Sequence, residues 1–519
     1  MKTIVLIFIF LLLSFNLVSA QYPNVLITNM NSPNEPTICI NPKNTNQVVA
    51  GSNLNLYYYS TNSGFNWSKG TLTSTFSVWG DPSITVDTAG VFYYGHLTNS
   101  ASSYFIDRIV IQKSTNGGMN WSNGTFTGFI PPKQQDKEWL CVDPRNNIIY
   151  TTWTQFDSYG SSSTLDSSNI LFSRSTDAGS TWRSATRINK KAGDCIDGDN
   201  TVEGAVPCVG PDGQIYVSWS GPLGIVMDKS TDGGFTWLSE DKFVTAQPTG
   251  WDYDIPGISR ANGLPVTACD ISNGPYRGNL YINFSDQRNG LTDTDVWFVK
   301  STDQGNTWST VKRVNNDSPG KQQFFTWMTV DQATGIIYFV FYDRRNYANT
   351  QTDVYMAKST DGGETFQNFI VSSTPFIPSS SAFFGDYTNV TAYNGKVRPI
   401  WTRLDNSSLS LYTAIVDFMT NVKQINLTAP ESLRLYDNYP NPFNPVTKIK
   451  FDVSKDVASG ITIKIYDSNG KELEKLVDGS FIPGTYEVEW NASNYATGAY
   501  YCKLESSRFS ATNLMVLIK

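Results

Sequence analysis

The chain has 519 residues, with 39 Lys+Arg against 46 Asp+Glu, a net charge of −7 and a single histidine, His96. The acidic balance argues against nucleic acid or an anionic membrane surface as the main partner, and one imidazole excludes multi-histidine metal sites. With 13% aromatic residues, a chain of this length can bury a large core, in several domains or one large repeat domain.

Residues 1–20 read as a secretory signal peptide: Lys2, an apolar run from Ile4 to Leu13, then Val18-Ser19-Ala20 before Gln21. No later stretch is apolar for long enough to cross a bilayer as a helix. The mature chain is therefore expected from Gln21, outside the cytoplasm and as a monomer. Six cysteines are too few to staple a chain of this size. Cys39, Cys141 and Cys208 recur at one repeat position and read as small buried strand residues, while a Cys195–Cys208 bridge stays open.

An octet of the form Ser-Thr-Asp/Asn-x-Gly-x-x-Trp/Phe occurs six times, at Ser60–Trp67, Ser114–Trp121, Ser175–Trp182, Ser230–Trp237, Ser301–Trp308 and Ser359–Phe366. It reads as a hairpin turn in which the Asp or Asn caps backbone amides, the Gly takes a positive φ and the aromatic ring packs back on the sheet. Two further strand-like runs precede each octet, as in Trp139–Val142 and Ile148–Trp153. The unit is then four antiparallel strands, A to D, repeated at about 45 to 70 residues, the signature of an all-β propeller over residues 21–422. A strands begin near Pro36, Asp81, Glu138, Ala205, Leu264, Phe325 and Gly385, one more than the octets. The last unit lacks a fourth strand, which Asn24–Asn29 can supply. Seven blades are expected, with six as the alternative.

The A–B and C–D turns are short, whereas the D–A and B–C connections are long, so function is expected at the long-loop face. That face collects Trp79, Asp81, Asp136, Lys137, Glu138, Glu203, Asp386 and Tyr387, with Asp286, Arg288, Asp343, Arg344, Arg345 and Arg403 at the ends of B strands. Converging guanidiniums suit a carboxylate-bearing sugar, because each can bind the anion in bidentate fashion. The same arginines can instead pair with the Asp beside them, as in Asp286/Arg288 and Asp343/Arg344. The loop with Asp194, Asp197 and Asp199 offers closely spaced oxygen ligands for Ca²⁺, and no other cofactor is expected.

After a linker at 423–434, residues 435–519 alternate short strands with Asn-Gly and Pro-Gly turns, a small β-sandwich. Its Asn-Tyr-Pro-Asn-Pro-Phe-Asn-Pro string (438–445), its Gly-x-Tyr-x-Val-x-Trp string (484–490) and the terminal Lys519 resemble the type A C-terminal sorting domain of the type IX secretion system of Bacteroidota. The resemblance implies export through the periplasm to the outer surface or the medium, with the secretion machinery as a partner.

The octets resemble the Asp boxes, or BNR repeats, of sialidase-like propellers. In catalytic members the resemblance implies an arginine cluster, a Tyr nucleophile assisted by Glu, and an Asp acid/base. Tyr387, Glu203 and Asp81 are the residues onto which those roles map. Two departures stand against catalysis: enzymes of this type have six blades, and their Arg-Ile-Pro motif is missing, since the first arginine here is Arg108. The reading is therefore a secreted propeller that binds a glycan or an extracellular protein. The alternative is an exo-acting glycoside hydrolase of sialidase type, cleaving a terminal acidic sugar.

Overall fold

A computed structural model describes residues 22–99, 105–405, 407–418, 422–426, 428, 430–454, 461–479, 481, 483–506 and 509–519, so the signal peptide expected at 1–20 lies outside the described residues. The chain forms two compact units. One runs to Val416 and the other comprises Asp417–Lys519, with the short piece Asn394–Val397 grouped with the second. No helix of the described residues is long and apolar enough to cross a membrane.

The first unit is a β-propeller. Its sheets are up-and-down meanders that follow the chain, for example Gln134–Val142, Ile149–Phe156, Ser168–Ser175 and Thr186–Arg187 in that spatial order. Seven such four-strand paths are described. Their innermost strands are Thr37–Ile40, Gly80–Val86, Gln134–Val142, Glu203–Val209, Val266–Cys269, Gln323–Val330 and Asn389–Tyr393. Each packs on the next, and the last on the first. Second strands such as Leu280–Asp286 and Ile337–Asp343 are buried throughout, because sheets cover both their faces. Asn24–Thr28 pairs antiparallel with Ser408–Ala414 and completes the last sheet with N-terminal chain. Asn24 also holds the preceding sheet, donating from Nδ2 to the Val371 carbonyl at 2.7 Å and accepting from Ser373 N at 2.8 Å.

The octets form closed local networks. In one, Ser175 Oγ donates to Asp177 Oδ1 at 2.8 Å and accepts from Gly179 N at 2.9 Å, while Thr181 donates its N–H to Asp177 Oδ1 and its hydroxyl to Oδ2. Gly179 needs its φ of 75° for this turn. The aromatic residue closes each octet against the sheet cores, as Trp182 and Trp237 do.

The second unit stacks two four-stranded sheets around Ile449, Phe451, Ile463, Val488, Trp490, Cys502 and Met515. Here the structure corrects the sequence reading. Val422–Asn426, placed at the domain end and linker, is an edge strand of this sandwich, paired with Gly484–Asn491 from Val422↔Val488 onward. Its polar sequence conceals it; backbone ladder bonds hold it and Val422 packs on the sandwich core. All six cysteines are free, so the Cys195–Cys208 bridge does not form.

Candidate functional site at the channel mouth

The candidate site begins with a backbone irregularity. Four innermost strands slip register against their neighbours: between Gly80 and Ser83, Asp136 and Trp139, Glu203 and Val206, and Phe324 and Trp327. Within those slips Asp81, Lys137, Gly204 and Phe325 take φ values of 50°, 51°, 78° and 49°, and Glu35, just before the first inner strand, takes 50°. A left-handed conformation costs a non-glycine residue about 1–3 kcal/mol, and bulges of this kind re-aim side chains. Glu35, Asp81 and Lys137, from three consecutive sheets, thereby line one cavity of about 470 Å³. Trp79, Phe105, Asp136, Tyr159, Arg260 and Phe383 also line it, and Asn53, in the same wall, donates its amide to Glu35.

Charge in this cavity is organised around Asp386. Lys137 Nζ lies 2.7 Å from its Oδ2 and 3.8 Å from Asp81 Oδ2. Arg260 grips both Asp386 oxygens, with Nε 2.8 Å from Oδ1, and stands 3.6 Å from Asp197. Burial alone would raise the Asp386 carboxyl, but Lys137 and Arg260 outweigh it and hold the group well below the usual range. Burial likewise opposes the charge on Lys137, and Asp386, Asp81 and Asp136 more than offset that, so it stays an ammonium.

The remaining carboxyls are crowded. Asp81 stands within hydrogen-bonding reach of both Glu35 and Asp136. Burial, then the neighbouring Asp81, pushes Glu35 up; burial, acting against Lys137 and reinforced by Asp81 and Asp197, pushes Asp136 up to about 8. Glu138 and Glu203 are fully enclosed, and none of their carboxyl oxygens has a hydrogen-bond partner among the described residues. Desolvation raises both.

Beneath the mouth the channel is plugged. Trp139 and Trp327 meet with ring centroids 4.5 Å apart, and Tyr387 packs on them at 5.1 and 6.2 Å. Below lies a second cavity of about 570 Å³, walled by small residues including Cys39, Thr85, Cys141, Cys208, Ala268 and Thr329. Burial pushes the Cys39 thiol up to about 12, which removes its nucleophilic form.

The sequence-derived candidates divide. Trp79, Asp81 and Lys137 line the mouth, Asp386 anchors it and Glu203 lies enclosed behind it. Tyr387 belongs to the plug; burial, then Asp81 and Glu35, keeps its phenol protonated. The arginines do not converge. Arg288 binds Asp286 of its own sheet through Nε and Nη2 at 2.9 and 2.6 Å, and Arg403 binds Asp405 at 2.6 Å. It is Arg345, not Arg344, that binds Asp343, at 2.7 Å. Arg344 is 3% exposed and donates to Thr352, Gln322 and the Pro256 carbonyl. None of these four lines the mouth cavity. An Asp two residues away along the same strand end captures each of the other three before it can reach across the ring.

The three aspartates proposed for Ca²⁺ also point to separate partners. Asp194 accepts from Thr201, Asp197 from Tyr159 and Asp199 from the Asp252 amide. No group of three His, Cys, Asp or Glu placed to hold a metal ion occurs among the described residues. His96 is enclosed in a sheet with Nδ1 on the Leu97 carbonyl at 2.8 Å, and burial lowers it to about 4.

Sequence reasoning missed Glu35, Arg260, Phe105, Tyr159 and Phe383. A signal for Glu35 was present, since Glu35-Pro36 opens its inner strand just as Asp81-Pro82 does. Arg260 lies in a long loop outside the repeat and carries no comparable signal.

No curated protein shows significant similarity to the chain. Among solved structures it is similar to the Hadza microbial sialidase Hz136, at 13% identity over 72% of this chain and 75% of that one, with a TM-score of 0.41. It is similar to a protein of unknown function from Dyadobacter fermentans, at 10% identity over 77% and 98% of the two chains, TM-score 0.44. A sialidase from Trypanosoma rangeli matches at 12% identity over 86% and 84%, TM-score 0.38. Residues 437–519 match the family described as the secretion system C-terminal sorting domain. The chain thus carries the tail that directs export by the type IX system to the cell surface or extracellular space.

Proposed function

We propose that this chain is an exported glycan-binding propeller whose binding site is the cavity at the channel mouth. The observation that supports this reading is the composition of that cavity. The rings of Trp79, Phe105 and Phe383, 38 to 43% exposed, share its wall with Glu35, Asp81 and Asp136. Trp79 and Phe105 meet edge to face at 5.7 Å, which fixes one face for contact. Aromatic faces pack against the apolar face of a pyranose, and carboxyl oxygens accept from its hydroxyls. A concave pocket with a few convergent polar groups is the usual form of a small-ligand site.

A carboxylate-bearing sugar fits this site poorly. Its two cations, Lys137 and Arg260, are already held by Asp386, and Arg288, Arg345 and Arg403 are held by their own sheets. One observation favours the hydrolytic alternative: Asp136, pushed up to about 8, would be a proton donor beside Asp81.

The test is a glycan array probed with the purified secreted protein and its Trp79→Ala variant. Retention of a defined glycan class, weakened about tenfold or more in the variant, supports the site. A blank array, or equal retention by both proteins, refutes it. Turnover of a fluorogenic glycoside that is lost in Asp136→Asn would move the assignment to the hydrolytic reading.

A further inference from the structure

We infer that the sugar recognised at the mouth carries a free ammonium group. This rests on the glycan-binding reading and names the chemistry of its ligand. Glu35, Asp81, Asp136, Asp197, Glu203 and Asp386 face one another there, while Lys137 and Arg260 are the cations among them. Both cations contact Asp386, so the other carboxyls share what remains. Glu203 shows the shortfall most plainly. It is 0% exposed, neither carboxyl oxygen has a donor among the described residues, and it faces Asp197, Lys137 and Asp136. Lys137 and Asp136 line the cavity, as does Tyr159 beside them.

The undonated carboxyl of Glu203, in a cluster of six carboxyls against Lys137 and Arg260, defines what is missing. A neutral hydroxyl supplies a donor but no charge, and an anion worsens the imbalance. An ammonium supplies three donors and a positive charge on one small atom. The partly exposed rings of Trp79 and Phe105 at the rim add favourable contact for a cation. Protons now held by Glu35 and Asp136 would be displaced as the ammonium arrives. Binding should therefore release protons and tighten as pH rises, until the sugar's own amine is deprotonated. Glu138, Tyr159 and Tyr387 also face this cluster; burial holds all three in their neutral forms.

The experiment is titration calorimetry on the full secreted protein with three tetrasaccharides of like backbone: a chitosan oligomer, its N-acetylated counterpart and a cello-oligomer. It is run in two buffers of different ionisation enthalpy, with oligolysine as a fourth probe. The expected result is binding of the chitosan oligomer about tenfold tighter than the others, with proton release, and loss of that preference in Asp81→Asn and Glu35→Gln. Circular dichroism and melting confirm that each variant is folded, and either variant alone suffices. Equal or tighter binding of the uncharged oligomers overturns the ammonium inference but leaves the glycan reading standing. No binding of any sugar here or on the array overturns both, and binding of oligolysine alone overturns the sugar as the ammonium's carrier.

Discussion

Aspartate behaves in opposite ways at the two ends of the propeller's sheets. In the octets, Asp177 and Asp303 lie at the surface and are held at about 2 by a threonine hydroxyl, a backbone amide and a serine. At the mouth Asp136 is enclosed and, despite Lys137, rises to about 8 through burial and the carboxyls of Asp81 and Asp197. The octet aspartate finds its donors within the octet itself. The mouth draws carboxyls from several sheets into a space with too few donors. A satisfied motif is architecture, and an unsatisfied one is where a ligand has work to do.

The largest expected effect comes from removing the more deeply buried of the two cations that serve this cluster. Lys137→Ala leaves Asp386 to Arg260 alone and takes the ammonium from Asp81, and should cost about 3–5 kcal/mol in chemical denaturation. A loss no greater than that of an octet variant would erase the contrast. Arg288→Ala comes next. It leaves the buried Asp286 without its bidentate partner but keeps the site intact. We expect a loss of about 1–3 kcal/mol with glycan retention unchanged, and lost retention at unchanged stability would return that arginine to ligand binding.

Titration sharpens the comparison. Asp136 has a folded-state value of about 8, above its unfolded value of about 3.9, so the folded protein binds the extra proton. Its contribution to stability is fully present below about pH 4 and is lost as pH rises toward 8. Asp136→Asn should flatten that decline and melt above the parent at pH 8, by about 1–3 kcal/mol. A parent whose melting is flat from pH 4 to 8 would contradict this. The smallest effect belongs to the octet. Asp177→Ala should cost about 1 kcal/mol and leave the neutral-pH profile unmoved.

The propeller frame was legible because its turns are self-contained: Ser, Asp and Gly at fixed spacing dictate one local hydrogen-bond pattern wherever they occur. The closing strand was legible from a unit that lacked its fourth strand. The site was only half legible. Repeat position brought Asp81, Lys137 and Asp386 to one face, but which carboxylate a guanidinium chooses depends on distances of a few ångströms. Arg345 takes Asp343 while its neighbour Arg344 is buried elsewhere. Asp194, Asp197 and Asp199 have the spacing of cation ligands, yet Thr201, Tyr159 and a backbone amide reach them first. Arg260 sits on an irregular loop, where no periodicity speaks.

The central claim is that the mouth holds protonated carboxyls at neutral pH. Infrared difference spectroscopy reads the protonated carboxyl stretch directly. The account predicts such a band at pH 7, weakened in Asp136→Asn and in Glu203→Gln and unchanged in Asp177→Ala. A spectrum without the band at pH 7, or one in which those mouth variants leave it untouched, would contradict the account.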